Sequence, residues 1–212
     1  GIGSVTGKLL PTGKPLDVID STEVSCVDVA MPTVFLRAEK LGKTGYESAA
    51  DLDSDKAMME RMEAIRRKAG VLMGMGDVSK GVVPKIALLA KPAKDGSIAV
   101  RYFVPDACHK ALAVTGTVCL ASACAIPGTV ASQLVTLPPA PQGIIEIEHP
   151  SGKISIDLDA DFTNGRQELR RAALIRTARR IFEGRVFVPK HVWAGPDRLE
   201  DEREIVREIA AA

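Results

Sequence analysis

A group of hydroxyl and glycine residues opens an uncharged apolar stretch in the second half of the sequence. Thr115, Gly116 and Thr117 precede residues 118–126, which carry no charge before Pro127-Gly128. A helix that is apolar on every side must be buried. Its first turn presents free backbone N–H groups and the positive end of the helix dipole. Thr115, Gly116 and Thr117 are therefore the first candidates for binding a carboxylate, with simple capping by Thr115 as the alternative.

A second group of hydroxyls and glycines, with one cation, lies near the start of the chain. Thr6, Gly7 and Lys8 fall in a segment that ends at Gly13. The segment lacks the G-x-x-x-x-G-K-[ST] order and the preceding strand of a phosphate loop, so a nucleotide-binding P-loop is rejected. Two interpretations stay open: a loop that binds a carboxylate at the mouth of a cleft, or a tight turn between strands.

His109 is the third candidate because it shortly precedes the apolar stretch. Its imidazole could transfer a proton or bind an anion, and a purely structural histidine is the alternative. Cys108 is not expected to act with it as nucleophile and base, because adjacent residues of a strand point to opposite faces. The three histidines are scattered and the four cysteines include no C-x-x-C pair. We therefore expect no zinc site and reduced thiols.

The composition is that of an ordinary folded chain. Of the 212 residues, 46% are hydrophobic and 26% charged, and folding at this length buries roughly 70% of the unfolded surface. The formal net charge of +1 supplies no global field for nucleic acid or an anionic membrane. The arginines of residues 166–180 are interpreted as a solvated face or a lobe contact rather than an RNA-binding surface, because Glu168 and Glu183 interrupt the basic run and aromatic residues are missing. No stretch reaches the roughly 18 apolar residues of a membrane span.

Two helices and several short strands are expected to position the candidate residues. An amphipathic surface helix should follow the capping residues 51–55 and end at Gly70. Its apolar residues at helical spacing are Met58, Met62, Ile65 and Ala69. The strand candidates are residues 24–37, 85–90, 97–104, 143–148, 153–158 and 172–177.

The order of these elements predicts an α+β fold. Residues 153–159 alternate between apolar and polar, which is typical of an antiparallel strand with one wet face. A succession of such strands with one buried helix favours an antiparallel, β-barrel-like sheet wrapped around that central helix. Residues 196–212 are predicted to form a third, peripheral helix.

Six motifs, in this order, resemble the second half of the PrpF family of isomerases. They are SVTGKLLPTG at 4–13, VDVAMP at 27–32, LGKTGYE at 41–47, PK at 84–85, AIPGT at 125–129, and the segment from IRTARR at 175–180 through FVP at 187–189. The family includes 2-methylaconitate cis-trans isomerase and 4-oxalomesaconate tautomerase. The sequence GVLMGMGDVS at 70–79, with TGYE at 44–47, resembles the oxalomesaconate branch more closely.

The resemblance implies one lobe of a two-lobed, diaminopimelate-epimerase-like fold whose active site lies between the lobes. Family members shift a proton across an allylic unit of an unsaturated tri- or dicarboxylate, without cofactor or metal. The family's catalytic lysine and cysteine belong to the first lobe, and nothing in this chain matches them. Residues 1–190 are thus expected to be a second lobe that supplies half of an active site, and residues 191–212 a helical extension.

Two other functions remain open. One is a non-catalytic ligand-binding or assembly lobe of the same fold, and the other is an amino-acid epimerase or racemase. Aligning the second C-G-[ST]-G motif of related epimerases places Ala113 where their cysteine stands, which disfavours two-cysteine racemisation. The expected partners are a small polycarboxylate, and the first lobe of the same protein or a companion chain, with a homo-oligomer also open. A cytoplasmic location is expected, and the start at Gly1 rather than Met is consistent with a fragment or a processed product.

Overall fold

The computed structural model describes residues 1–104, 106–135, 142–177 and 179–193. The chain divides into two compact units, Gly1–Arg176 and Thr177–Ala212. In the second unit, the described residues up to Trp193 form only a turn at 190–192. The helix predicted at 196–212 lies outside the described residues. None of the helices in the described ranges is long and apolar enough to cross a membrane.

All regular secondary structure of the described residues lies in the first unit. The strands are β1 (Asp17–Ile19), β2 (Thr22–Val29), β3 (Met31–Arg37), β4 (Lys85–Ala90), β5 (Ile98–Val104), β6 (Ala107–Cys108), β7 (Gln142–His149), β8 (Gly152–Asp161) and β9 (Glu168–Ile175). The α-helices are α1 (Ala49–Ser54), α2 (Lys56–Leu72) and α3 (Val114–Ala125), and a short 3-10 helix spans Ala38–Leu41. A helix forms in each of the two predicted regions. However, α2 ends at Leu72 rather than Gly70, and among the predicted capping residues 51–55 only Asp55 is its N-cap, because residues 51–54 belong to α1. The expected position of α3 at the centre of a barrel is not confirmed. The alternation predicted for residues 153–159 appears in β8.

The strands form one mixed sheet. Its hydrogen-bonded order is β1-β2-β3-β4-β5-β7-β8-β9, with β6 paired to β5. The pairs β3–β4 and β5–β7 are parallel. The α+β class is confirmed, whereas the expected antiparallel barrel is not: the sheet is mixed, and among the described strands no pairing closes β1 onto β9. The reason is that helices connect β3 to β4 and β5 to β7, and a helical crossover returns the chain to the same edge of the sheet.

The two long helices pack against apolar side chains from opposite faces of the central strands. In β4, Ile86 and Leu88 belong to the apolar cluster around α2, while Ala87 and Leu89 belong to the cluster around α3. This division follows from the two-residue period of a strand. Helix α3 contacts β2 and β3 and also β8 and β9. Its small side chains are buried among these strands.

The α2 interface gives a direct test of the packing. Met62 lies on the buried face of α2, with 1% of its surface exposed. We expect Met62→Ala to lower the free energy of unfolding by about 2–4 kcal/mol, because it removes apolar burial and leaves a cavity. Urea unfolding followed by circular dichroism measures the change. Met59→Ala is the matched control, since Met59 is only partly buried and should lose less than about 1 kcal/mol. Equal losses in the two variants would contradict the assigned face.

Candidate functional site

The first turn of α3 is not capped by a side chain. Ala113 is the N-cap residue and has an extended conformation. Both the N–H and the Oγ1 of Thr117 donate to the Ala113 carbonyl, at 2.8 and 2.9 Å. Thr117 is therefore buried and used inside the helix. The N–H groups of Val114, Thr115 and Gly116 belong to the first turn, where no helical carbonyl is available to accept them. Thr115 is not the N-cap residue, so the alternative that Thr115 simply caps the helix is excluded.

Gly116 allows the start of α3 to approach strand β5 closely. A Cβ atom at Gly116 would lie 2.8 Å from two ring atoms of Tyr102, a distance that requires the ring or the helix to move. Tyr102 is itself buried, and burial raises the pKa of its phenol against a smaller opposing effect of Thr33. The phenol therefore stays protonated. The glycine predicted to admit a ligand also serves this contact between helix and strand.

The loop at residues 3–8 binds a carboxylate that belongs to the protein itself. Asp28, with 0% of its surface exposed, accepts hydrogen bonds from the N–H groups of Ser4, Val5 and Thr6 at 3.0, 2.9 and 2.7 Å. The hydroxyls of Ser4 and Thr6 donate to the same carboxylate. Burial alone would raise the pKa of Asp28, but these hydrogen bonds outweigh it and lower the pKa. Thr6, predicted to bind a substrate carboxylate, is thus bound to Asp28.

Gly7 and Lys8 continue the same loop. Gly7 has a φ of 76°, a left-handed conformation that suits glycine, and Lys8 is exposed. A cavity of about 470 Å³ is lined by Thr6, Lys8 and residues 72–75 at the C-terminal end of α2, among others. None of the residues that line this cavity comes from the start of α3. The first and second candidate groups therefore do not share this cavity.

His109 is held by the backbone on both sides. Its N–H donates to the carbonyl of Tyr102 at 2.7 Å, and its Nδ1 accepts the N–H of Ala111 at 3.0 Å. The bond from Ala111 orients the imidazole beside the segment that leads into α3. Nearby, the pKa of His149 is lowered first by burial and then by the positive charges of Arg101 and Arg176.

The four cysteines are buried, and none of them is paired in a disulfide. Burial raises the pKa of Cys26 to about 12, of Cys108 to about 11 and of Cys119 to about 12. Burial also raises the pKa of Cys124. A nucleophilic thiolate is therefore not available from these residues near neutral pH. In the part of the chain that is described, no three His, Cys, Asp or Glu side chains converge as metal ligands.

Two buried charged residues near these elements were not among the sequence candidates. Lys85 opens β4, is 8% exposed and lies opposite Thr33 in the parallel register of β3 and β4. Burial lowers the pKa of Lys85, and the charge of Arg66 lowers it further. Asp28 is the second such residue. The sequence feature that could have identified both residues is a charge within an otherwise apolar strand. Lys85 lies in KIALLA and Asp28 in VSCVDV.

Comparison with solved structures identifies a known protein with a similar fold. The chain superimposes on the crystal structure of a methylitaconate-delta-isomerase with a TM-score of 0.78 and 33% sequence identity, covering 90% of this chain and 54% of that one. The family model of the PrpF protein matches residues 1–189. The chain belongs to the PrpF family, as the six motifs indicated.

Relatives of known name are similar over most of this chain. YbhH of Escherichia coli is 49% identical over 189 residues, which cover 88% of this chain and 52% of YbhH. The 4-oxalomesaconate tautomerase of Pseudomonas putida is 39% identical, over 92% of this chain and 53% of the relative. The (4E)-oxalomesaconate Delta-isomerase of Novosphingobium is 40% identical, over 88% of this chain and 51% of the relative. The chain thus spans about half the length of these relatives.

The buried Asp28 carboxylate gives a prediction about stability. Asp28→Asn removes the charge that five donors surround, so we expect a loss of about 2–4 kcal/mol in the free energy of unfolding at pH 7. Because the folded pKa is lowered, the advantage of the wild type should be lost as pH falls through that pKa, below the ordinary value of 3.8. Urea unfolding at several pH values tests both statements.

The control for this experiment is Asp95→Asn, because Asp95 is exposed and paired with Lys153. We expect a change below about 1 kcal/mol. A stability difference between wild type and Asp28→Asn that stays constant down to pH 2 would show that the charge of Asp28 is not the cause.

Proposed function

We propose that this chain takes part in a cofactor-independent allylic isomerisation or tautomerisation of an unsaturated di- or tricarboxylate. The observation that carries the proposal is the uncapped start of α3, which offers backbone donors in a chain of the PrpF family. Relatives of this chain are named for isomerases of oxalomesaconate, methylitaconate and methylaconitate. A carboxylate is the ligand that such a helix start suits.

In this mechanism the N–H groups of Val114, Thr115 and Gly116 bind one substrate carboxylate. The helix dipole contributes about 0.3–1 kcal/mol at an exposed site and up to about 2 in a partly buried one. That is enough to orient the substrate but not to hold it alone. A base removes a proton activated by the neighbouring carboxylate or carbonyl, and hydrogen-bond donors stabilise the dienolate that forms. Thr117, Thr6, Gly7, Lys8 and His109 stay predicted contacts, but Thr117 and Thr6 already have partners within the fold.

The base and acid of this reaction are not assigned to the thiols of this chain, because burial raises the pKa of all four. The family resemblance attributes both roles to a lysine and a cysteine of a first lobe. We therefore propose that a further part of the same protein, or a companion chain, completes the active site. The cytoplasmic location expected from the sequence belongs to the same proposal.

Oxalomesaconate is the first choice of substrate. Identity is 39–40% to the two oxalomesaconate isomerases, 34% to the 3-methylitaconate isomerase of Eubacterium barkeri and 31% to the 2-methyl-aconitate isomerase of Shewanella oneidensis. The order of these values agrees with the closer resemblance of residues 70–79 to the oxalomesaconate branch. Methylaconitate is the second choice.

Two rival functions make different demands on the site. An amino-acid epimerase of the two-cysteine type needs a thiol at the start of the helix, where this chain has Ala113 as the N-cap. Exchange of an amino-acid α-hydrogen with inverted configuration would favour that class. A non-catalytic lobe would bind polycarboxylates without changing them.

The direct test is to incubate the native polypeptide that contains this chain with oxalomesaconate and with methylaconitate, and to follow the ultraviolet absorbance of the conjugated system. We expect a spectral change with oxalomesaconate and a slower change or none with methylaconitate. An unchanged spectrum with both substrates would remove the proposal.

A variant at the helix start links the activity to the site. Gly116→Ala places a methyl group against Tyr102, and the forced shift of the first turn should lower kcat/KM about tenfold, while overpacking costs about 1–3 kcal/mol of stability. Gly81→Ala is the control, because its new methyl group would have its nearest contact at 3.4 Å. Activity of Gly116→Ala equal to that of Gly81→Ala would place the reaction elsewhere.

A further inference from the structure

Lys85 is a buried cation without a partner among the described residues. Only 8% of its surface is exposed, and neither a hydrogen bond nor an ion pair to its ammonium is found in the described ranges. The ammonium is not one of the buried polar atoms that lack a partner in the described ranges, so the side-chain stem is buried while the ammonium reaches solvent. Asp28, the other buried charge near this edge of the sheet, accepts five hydrogen bonds. Unlike Asp28, Lys85 thus has a charge that no described group neutralises and that an anion from outside the fold can reach.

The strand register places Lys85 on the face of the sheet that carries α3. Lys85 has the same parity in β4 as Ala87 and Leu89, which pack in the cluster around α3, and alternate residues of a strand share a face. Thr33 is its neighbour in the parallel register. On the other edge of β4, Ala87 is paired with Tyr102 of β5. The ring of Tyr102 packs closely against Gly116. The contacts therefore lead from Lys85 across two strands to the first turn of α3.

The charges at this place favour an anion. Burial lowers the pKa of the Lys85 ammonium, and the positive charge of Arg66 lowers it further, so its environment lacks compensating negative charge. The start of α3 is the positive end of a dipole. Arg66 is not an ion-pair partner of Lys85, because Arg66 is also a cation. Its guanidinium donates to Glu63 and to two backbone carbonyls.

We propose that Lys85 is a substrate-binding residue, whose ammonium pairs with one carboxylate of a small di- or tricarboxylate held at the start of α3. This inference rests on the proposed function for the identity of the substrate, but not for the binding itself. The lysine ammonium is a compact charge on a flexible side chain, so it can pair with a carboxylate without a fixed geometry. The backbone N–H groups of α3 then orient a second carboxylate of the same molecule.

Binding of tricarballylate, a saturated tricarboxylate that cannot be isomerised, tests this proposal without turnover. The native polypeptide is titrated with it by isothermal calorimetry. We expect Lys85→Met to weaken binding by about tenfold or more, because it removes a charge-assisted hydrogen bond. Lys85→Arg keeps the charge and should bind within about threefold of wild type. Lys91→Met is the matched control, because Lys91 is an exposed lysine directly after the other end of β4, and its affinity should not change.

The outcomes separate this proposal from the proposed function. Equal affinity of wild type and Lys85→Met, or no binding by the wild type, overturns the role of Lys85. If Lys85→Met does not fold, as judged by circular dichroism, Lys85→Gln replaces it with the same expected loss. Isomerase assays of the same variants are independent: turnover with an unchanged KM in Lys85→Met contradicts only the Lys85 proposal. Weakened binding in a protein that isomerises neither substrate contradicts only the proposed function.

Discussion

The parallel pairing of β3 with β4 is the constraint on which the rest of the structure depends. Helices α1 and α2 connect these strands, and a helical crossover brings the start of the second strand to the edge where the first began. Because β5 runs antiparallel to β4, β5 ends at that same edge. The segment that leads into α3 therefore starts there as well. Thr33 and Lys85 are thus neighbours in the sheet, and Gly116 packs against Tyr102 near the end of β5.

Buried polar groups near this edge differ in how fully they are satisfied. The Asp28 carboxylate is surrounded by donors, and the hydroxyl of Thr33 donates to the carbonyl of Met31. Ser122, in the middle of α3, has a buried hydroxyl without a partner in the described part of the chain. An unpaired hydroxyl costs about 1–3 kcal/mol, whereas an unpaired charge costs considerably more. Ser122 is therefore a tolerable defect of packing, whereas the ammonium of Lys85 avoids this cost by reaching solvent at the edge of the sheet.

The sequence predicted the elements whose own periodicity is distinctive. Helix α2 follows from its apolar spacing and acidic caps, and α3 from a run of residues without charge. The pairing of strands was missed because periodicity describes one strand at a time and does not name its neighbour. Residues 24–37, which the sequence predicts as a single strand, form the hairpin of β2 and β3. Its turn uses Ala30 at a φ of 61°, and alanine carries none of the usual turn signal.

The candidate site was predictable only in part, for a related reason. The hydroxyls of Thr6 and Thr117 were recognised by type, but type does not tell whether a protein group already occupies them. Lys85 was passed over because a lysine at the start of a strand usually extends into water.

The acid–base properties of the described groups indicate which parts of the proposed reaction these groups can perform. Near neutral pH the four thiols and the phenol of Tyr102 keep their protons, because burial raises the pKa of each. The groups gathered around α3 are thus hydrogen-bond donors and a cation. Such a surface can bind a polycarboxylate and stabilise a developing negative charge, but its thiols and phenol offer no base to start the reaction. A proton acceptor facing this surface from another part of the protein would complete it, and the carboxylates held here would fix which carbon of the substrate that acceptor reaches.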